Sequence, residues 1–440
     1  MRRPVLSLRP LNSLMLPLLA AGLTLWGGSA GAVAAVDKGL GPSSCQPASL
    51  VDDAFRDAAL RALQRLVVRA PGQSADGAIK VHHSPGHMDP QGGVWHYVSA
   101  YQVNLSLIGA LRVAPQLGPD VAQWLRWQAR HTTPTGPSES LVFDHWVRAS
   151  DLQESSCPPG KSPRSCPQVD AFDSTAASLL LVAQAYVQAT ADSTLLRDPL
   201  LRRALEEAAA TMARLTQTNG LPWAKPDHAA AYLMDAVEVA AGWRAWAYLQ
   251  REVYGIPQAA KNSLAAAQRT EAAIHKLLWH APSQTWRVSL DAPQPDFAQW
   301  YPDSVAQAWP LLWLDRNDAN EANVANVGSV ESHVERRAFG RAQSAWRQAA
   351  SRWQGGAGWP QRNVDPEGFW WPAIAVAAHC VGDERAAAAW VARARSAWLR
   401  ADQPFAWPFQ VGDLQWLFRL ADPVPTAAGR AAATAGPTAN

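Results

Sequence analysis

Apolar residues along this chain fall into two kinds of helical run, and the two kinds alternate. One kind is apolar nearly all round: 176–185 (AASLLLVAQA), 237–249, 305–314 and 373–381. A helix without a polar face has to be buried on every side. The other kind is amphipathic. Leu201, Leu205, Ala208, Met212 and Leu215 step by four, three, four and three, which leaves Arg202, Arg203, Glu206 and Glu207 on the far side. Trp390, Val391, Ala394 and Trp398 make a similar stripe among Arg393, Arg395 and Arg400. Convincing strand periodicity is almost missing.

The pattern predicts an opening helix near 50–69 and a closing one near 410–421. Five pairs lie between them: 97–113 with 118–130, 173–190 with 195–217, 231–254 with 257–279, 302–314 with 331–353, and 370–382 with 384–400. Buried helices alternating with amphipathic ones describe a double-layered all-α fold, an (α/α)6 toroid of about six helical hairpins. An open solenoid has the same local pattern but needs polar caps at its ends. Here 50–68 and 411–420 each carry an apolar stripe, so closure into a ring is the expectation.

The first residues change the picture of where the fold begins. Arg2 and Arg3 precede an apolar stretch from Leu14 to Trp26, and small-residue cleavage sites follow at Ala30-Gly31-Ala32 and Ala32-Val33-Ala34. Residues 1–34 read as a secretory signal peptide, since the apolar run falls short of the roughly 20 residues a membrane span needs. Removing these 34 of 440 residues leaves 406. No linker divides them, so 35–422 is expected to form one domain. The Ala-, Thr- and Pro-rich stretch 423–440 reads as a disordered tail. The protein is expected in the periplasm or outside the cell, with no membrane contact after cleavage. Only 17% of residues are charged and the net charge is +2, which argues against a nucleic-acid partner. The four cysteines fit an oxidising compartment. Cys157 and Cys166 are the pair expected to bond, because SSCPPGKSPRSCPQ can turn back without breaking a helix. Cys380 is either a partner for Cys45 or a buried free thiol.

In a closed ring the segments entering the inner helices gather at one end of a central funnel. They read GGVWHYVS (92–99), QVDAFDST (168–175), LPWAKPDHAAAYLMDAVE (221–238), QWYPDS (299–304), DPEGFWWP (365–372) and AWPFQVGD (406–413). Each holds an aromatic residue and five hold a carboxylate. Tryptophan outnumbers tyrosine and phenylalanine together, 22 against 16. A core does not by itself prefer tryptophan, whose N–H needs a partner, whereas flat faces that stack on sugar rings do. Trp124, Trp243, Trp346, Trp390 and Trp398 lie within helices and are read as core. Trp95, Trp223, Trp300, Trp359, Trp370 and Trp407 lie at or near entrances, where a ligand-facing role and a packing role are both open.

Asp235 and Glu238 stand three apart, on one helical face with Tyr232. Two acids among Ala, Val, Leu and Met would be desolvated and would repel, which raises the pKa of at least one, as a general acid requires. A salt bridge to Lys225 or Arg244 is the plainer alternative. Asp170 and Asp173 flank Phe172 before an apolar helix, and Asp303 opens the inner helix near 302–314; helix capping explains Asp173 and Asp303 as simply. Asp365, Glu367 and Asp413 are weaker candidates on the same rim. His82, His83 and His87 have a spacing compatible with a metal, but only Asp89 is near to complete a set, so a polar loop is the reading and no metal or cofactor is expected. No nucleophile elbow, phosphate-binding loop or zinc-protease signature occurs.

The strings DAFDSTAASLLLVAQAY (170–186), LPWAKPDHAAAYLMDAVEVAAGW (221–243) and QWYPDS (299–304) are similar to segments of secreted bacterial members of the six-hairpin glycosidase superfamily. The resemblance covers nearly all of the chain after the signal and is architectural. It implies an α/α toroid and a carbohydrate substrate, and it carries over no catalytic residue. In outline it implies inversion, with one carboxylic acid protonating the leaving oxygen and a carboxylate activating water. On the residues themselves, one of Asp235 and Glu238 is then paired with Asp173 or Asp303. Trp95, Asp170, Trp223, Tyr232, Trp300 and Trp370 would bind sugar, and Lys225 a polar or acidic substituent. Two other functions stay open. A polysaccharide lyase would use His96, Tyr97, Tyr101 or Asn104, and a non-catalytic envelope protein would use the funnel to hold a glycan or a partner.

Overall fold

The computed structural model describes residues 49–134, 140–141, 144–162, 166, 169–297, 299–313, 331–351, 370–406 and 409–422. Among them are twelve α-helices: α1 (Asp53–Leu66), α2 (Ala100–Val113), α3 (Gly118–His131), α4 (Phe172–Thr190), α5 (Pro199–Leu215), α6 (Leu233–Tyr248), α7 (Pro257–Ala273), α8 (Trp309–Trp313), α9 (Glu331–Ala350), α10 (Trp371–Cys380), α11 (Glu384–Trp398) and α12 (Leu414–Arg419). The even-numbered helices each pack on the next, α2 on α4, α4 on α6, α6 on α8, α8 on α10, α10 on α12, and α12 returns to α2. The ring is closed. Each odd-numbered helix lies outside against an inner one, α5 on α4, α7 on α6 and α11 on α10 among them. The signal-peptide and tail readings fall outside the described residues.

The patterning explains the layers. On α4 and α6 nearly every side chain is buried, whereas α5 buries one stripe and exposes Arg202, Arg203 and Glu206. Outer helices α1, α5 and α11 open on aspartate caps: Asp52 accepts from the Phe55 N–H, Asp198 from those of Leu200 and Leu201, and Asp383 from that of Ala386. Inner helices α2, α4 and α6 open without a side-chain cap. Two glycines let the ring draw tight. A Cβ on Gly242 of α6 would stand 2.8 Å from the Ala177 Cα of α4, and one on Gly109 of α2 would stand 2.7 Å from the Gln415 Cα of α12. Both are closer than a real Cβ contact, so these helix pairs meet backbone to backbone.

Strands are present where the sequence suggested almost none. β1 (His87–Met88), β2 (Val94–Val98), β5 (His145–Arg148) and β6 (Glu154–Ser155) form one antiparallel sheet; β3 (Thr133–Pro134) with β4 (Ser140–Leu141) and β7 (Trp279–His280) with β8 (Thr285–Trp286) form two small ribbons. The expected helix from residue 97 therefore starts at Ala100, and Trp95 to Val98 pair with Arg148 to His145. Strands this short leave little room for a period-2 signal. The inner helix expected at 302–314 is broken: a π-helical turn at Trp300–Ser304 precedes the short α8. Cys157 and Cys166 are bonded, and Cys380 is disulfide-bonded too, so it is no free thiol. Cys45 lies outside the described residues. No described helix is long and apolar enough to cross a membrane.

Candidate active site

The entrances to α2, α4, α6 and α8 bring together an acid cluster. Asp173 sits in the first turn of α4, and Asp235 in the first turn of α6 with Glu238 one turn further in. Asp173 does not cap its helix: the cap position is Ala171, and Asp173 Oδ1 accepts the N–H of its neighbour Ser174 at 2.8 Å. Its Oδ2 is buried without a hydrogen bond. Asp173 and Glu238 are buried, at 0% and 2% exposure, while Asp235 is half-buried. Glu238 Oε1 accepts two hydrogen bonds, from the Tyr101 hydroxyl at 2.7 Å and from Trp309 Nε1 at 2.9 Å. Ser174 Oγ makes no hydrogen bond of standard geometry but lies close enough to favour the charged forms of Asp235 and Glu238.

Three acids crowded into one largely buried space cannot all ionise. Burial pushes Asp173 well above the usual carboxylate range, and the charges of Asp235 and Glu238 push it further. Burial does the same to Asp235, with Glu238 and then Asp170 adding to it. Burial raises Glu238 only to about 7, because Tyr101, Trp309 and Ser174 pull it back. Burial and the charges of Asp235, Asp170 and Glu238 raise the Tyr301 hydroxyl. Yet 47% of that residue is exposed, so its ring stands open while its hydroxyl points inward. Tyr232, at the entry to α6, is held by His228 Nε2 at 3.0 Å.

The rim continues toward the sheet. Asp144, just before β5, is raised to about 7, chiefly by burial and also by Asp170, against the pull of the nearby Tyr97 hydroxyl, Lys161 and Lys225. Lys161 lies in the loop closed by Cys157 and Cys166 and sits 4.0 Å over the Trp146 ring. Lys225 Nζ donates to the Val169 carbonyl at 3.3 Å, beside Asp170, which is exposed. Lys225 pairs with neither Asp235 nor Glu238, and Arg244 is engaged by Glu271, so the plain salt-bridge reading of the two acids does not hold.

Several expected site residues are elsewhere. Asp303 uses Oδ1 to accept the Asp296 N–H at 2.8 Å, and its raised pKa comes from burial and Asp296, not from the cluster. It holds a loop. Trp95 is 1% exposed, donates to Asp89 at 2.8 Å and lies under Arg148 in the sheet. Trp300 is 1% exposed and packs on Trp390 of the outer helix α11, between the layers. Trp370 is buried edge-on against Trp309 and so supports the cluster from behind. Trp223 alone among the described entrance tryptophans is half-buried. Trp359, Trp407, Asp365 and Glu367 lie outside the described residues, and Asp413 accepts the Trp370 N–H. Asn104 is buried in a neutral network with Trp124, Gln128 and Ser178. His96 lies in another group with Lys80 and His82. Among the described residues no cluster of His, Cys, Asp and Glu could hold a metal. Trp309 and Asp144 went unnoticed in the sequence, because a lone Trp in an apolar run and a lone Asp before a strand carry no pattern.

No family model matches the chain, and no curated protein matches it. Solved structures do resemble it. An alpha-amylase from Clostridium perfringens superposes with a TM-score of 0.45 at 8% identity, over 83% of this chain and 97% of that one. A reducing-end-xylose-releasing exo-oligoxylanase superposes with a TM-score of 0.44 at 12% identity, over 85% of this chain and 95% of that one. The fold is an (α/α)6 toroid. At TM-scores below 0.5 the neighbours add nothing to that about substrate or residues; the closed ring of helices itself establishes it.

Proposed function

We propose that this protein is a glycoside hydrolase acting outside the cytoplasm on a poly- or oligosaccharide by carboxylate acid–base catalysis. The observation that carries the reading is the group of acids Asp173, Asp235 and Glu238 gathered at the entrances of α4 and α6, of which Asp235 is the half-buried member. Asp235 is the general acid. Its neighbours keep it protonated at a pH where an ordinary aspartate has lost its proton, and it stands where a glycosidic oxygen would arrive. Asp170, exposed at the rim and electrostatically coupled to Asp235, is the carboxylate that activates water for an inverting displacement. Asp173 and Glu238 are too buried to touch substrate and act on Asp235 through their charge and protons. Tyr301 and Tyr232 are accessible aromatics beside these acids, Trp223 is a half-buried one in the segment leading to α6, and the three take the sugar-stacking role expected of Trp300 and Trp370. The Cys157–Cys166 bond favours an oxidising compartment.

Elimination is less well supported. It needs a base that can lose its proton, and Tyr101 is driven well above its ordinary range by burial and by Glu238. The carboxylates at the mouth would also repel the acidic sugars that lyases cleave. A purely binding role leaves the cost of burying three acids unexplained. The test is incubation with a panel of bacterial and plant polysaccharides, following reducing ends and ultraviolet absorbance together. New reducing ends without absorbance support hydrolysis, whereas absorbance from a new double bond would mean a lyase. The anomeric configuration of the first product, read by NMR, checks inversion.

A further inference from the structure

Glu238 differs from its two partners in one respect. Both donors that reach it converge on a single oxygen, one from α2 and one from α8, so they clamp it from two other inner helices. Asp173 has one backbone N–H on Oδ1 and nothing on Oδ2. Trp309 Nε1 can only donate, and its ring is fully buried, locked edge-on by Trp370 at 5.0 Å and Trp416 at 5.9 Å. The Tyr101 hydroxyl keeps its proton at any working pH, so it too remains a donor. Two fixed donors on one carboxyl oxygen favour the ionised form of that carboxyl over any neighbour without them.

We propose that Tyr101 and Trp309 set the order in which the cluster loses protons: by donating together to Glu238 Oε1 they place the first negative charge there and leave the proton on Asp235. They are positioning residues. The groups facing Glu238 are Tyr101 from α2, Asp173 and Ser174 from α4, Asp235 from its own helix, Trp309 from α8 and Tyr301 from the turn before it; Asp170 and Tyr232 lie further toward the rim. Once Glu238 is charged, its field opposes ionisation of Asp235, so the accessible acid stays protonated through neutral pH. The consequence for turnover rests on the hydrolase reading. The proton order does not, because it belongs to the folded protein alone.

Tyr101→Phe keeps the ring and removes one donor. A lost charge-assisted hydrogen bond is expected to move the Glu238 ionisation upward by about one pH unit. Two readouts follow it. In equilibrium unfolding, stability falls less steeply with pH once Glu238 has ionised, and the pH of that change in slope moves up by about one unit. In kcat/KM, the alkaline limb moves down by a similar amount, since Asp235 then competes for the first ionisation. Carboxyl 13C resonances of the wild-type protein, with Glu238→Gln as the assignment control, should show Glu238 losing its proton before Asp235. The reverse order overturns the proposal, as does a Tyr101→Phe variant whose stability and rate profiles both overlay the wild type. If no glycan in the panel is turned over, the hydrolase reading fails while the carboxyl titration still decides the proton order.

Discussion

Two buried polar groups sit inside this ring within a turn or two of each other, and they are built in opposite ways. Around Asn104 every partner is neutral and the bonds are reciprocal. Its amide oxygen accepts from Trp124 at 2.8 Å and Gln128 at 2.6 Å, and its amide nitrogen donates to Ser178 at 3.0 Å and Gln128 at 3.3 Å. Around Asp235, three acids share one largely buried space, Asp173 Oδ2 accepts nothing, and Glu238 Oε1 takes both strong donors. The first arrangement fastens α2, α3 and α4 together. The second spends stability to hold protons that acids normally release. Buried polar groups are ordinarily satisfied, so a cluster left short of donors points to chemistry rather than support.

The comparison breaks most sharply at Asp235. Asp235→Asn should lower turnover at least ~1000-fold while leaving the fold intact, because a general acid is lost and an amide of equal size takes its place. Activity within about tenfold of wild type would mean that another group supplies the proton. Asn104→Ala should do the reverse. It strips partners from Trp124, Gln128 and Ser178, and should cost about 3 kcal/mol of unfolding free energy, measured in urea, without moving the pH–rate profile.

Glu238→Gln sharpens the comparison through pH. Glu238 is raised from an ordinary 4.5 to about 7, so the unfolded chain releases this proton first as pH rises. The folded state then binds more protons than the unfolded one, and stability falls from about pH 4.5 to about 7. Glutamine does not titrate. Relative to wild type, the variant should therefore gain about 3 kcal/mol between pH 4 and pH 8, most of it below pH 7. A constant difference across that range would show that the cluster carries no such burden. The smallest effect is at the rim: Tyr301→Ala should raise KM about tenfold with kcat changed little, since a stacking face is lost and the acids remain.

The helical plan was legible because burial writes itself into periodicity. The alternation of all-apolar and one-sided runs anticipated eleven of the twelve helices to within a few residues, and the ends of the pattern already pointed to closure. Only the helix expected at 302–314 was displaced, by the turn at 300–304. The acids Asp235 and Glu238 were legible for the same reason, as charges where the pattern demands apolar side chains. Tryptophan was not. Trp300 and Trp370 stand at funnel entrances in sequence, but an indole there can turn toward the outer layer or toward the bore, and neither spacing nor composition records which. Tyr301, next in the chain to Trp300, is the open ring. Asp303 shows the same limit: its first-turn position suits capping, loop tying or catalysis alike, and its bond to the Asp296 N–H is visible only in the fold. Tyr101 was visible only as a member of a rival mechanism, because its partner Glu238 lies 137 residues away.

The most direct test of the central claim is a comparison of wild type and Asp235→Asn on the glycan panel, following reducing ends at pH 7 with circular dichroism as the fold control. New reducing ends should come from the wild type alone, with equal ellipticity in both. Equal release of reducing ends by the two proteins, or none from a well-folded wild type that still binds a glycan, would contradict the claim.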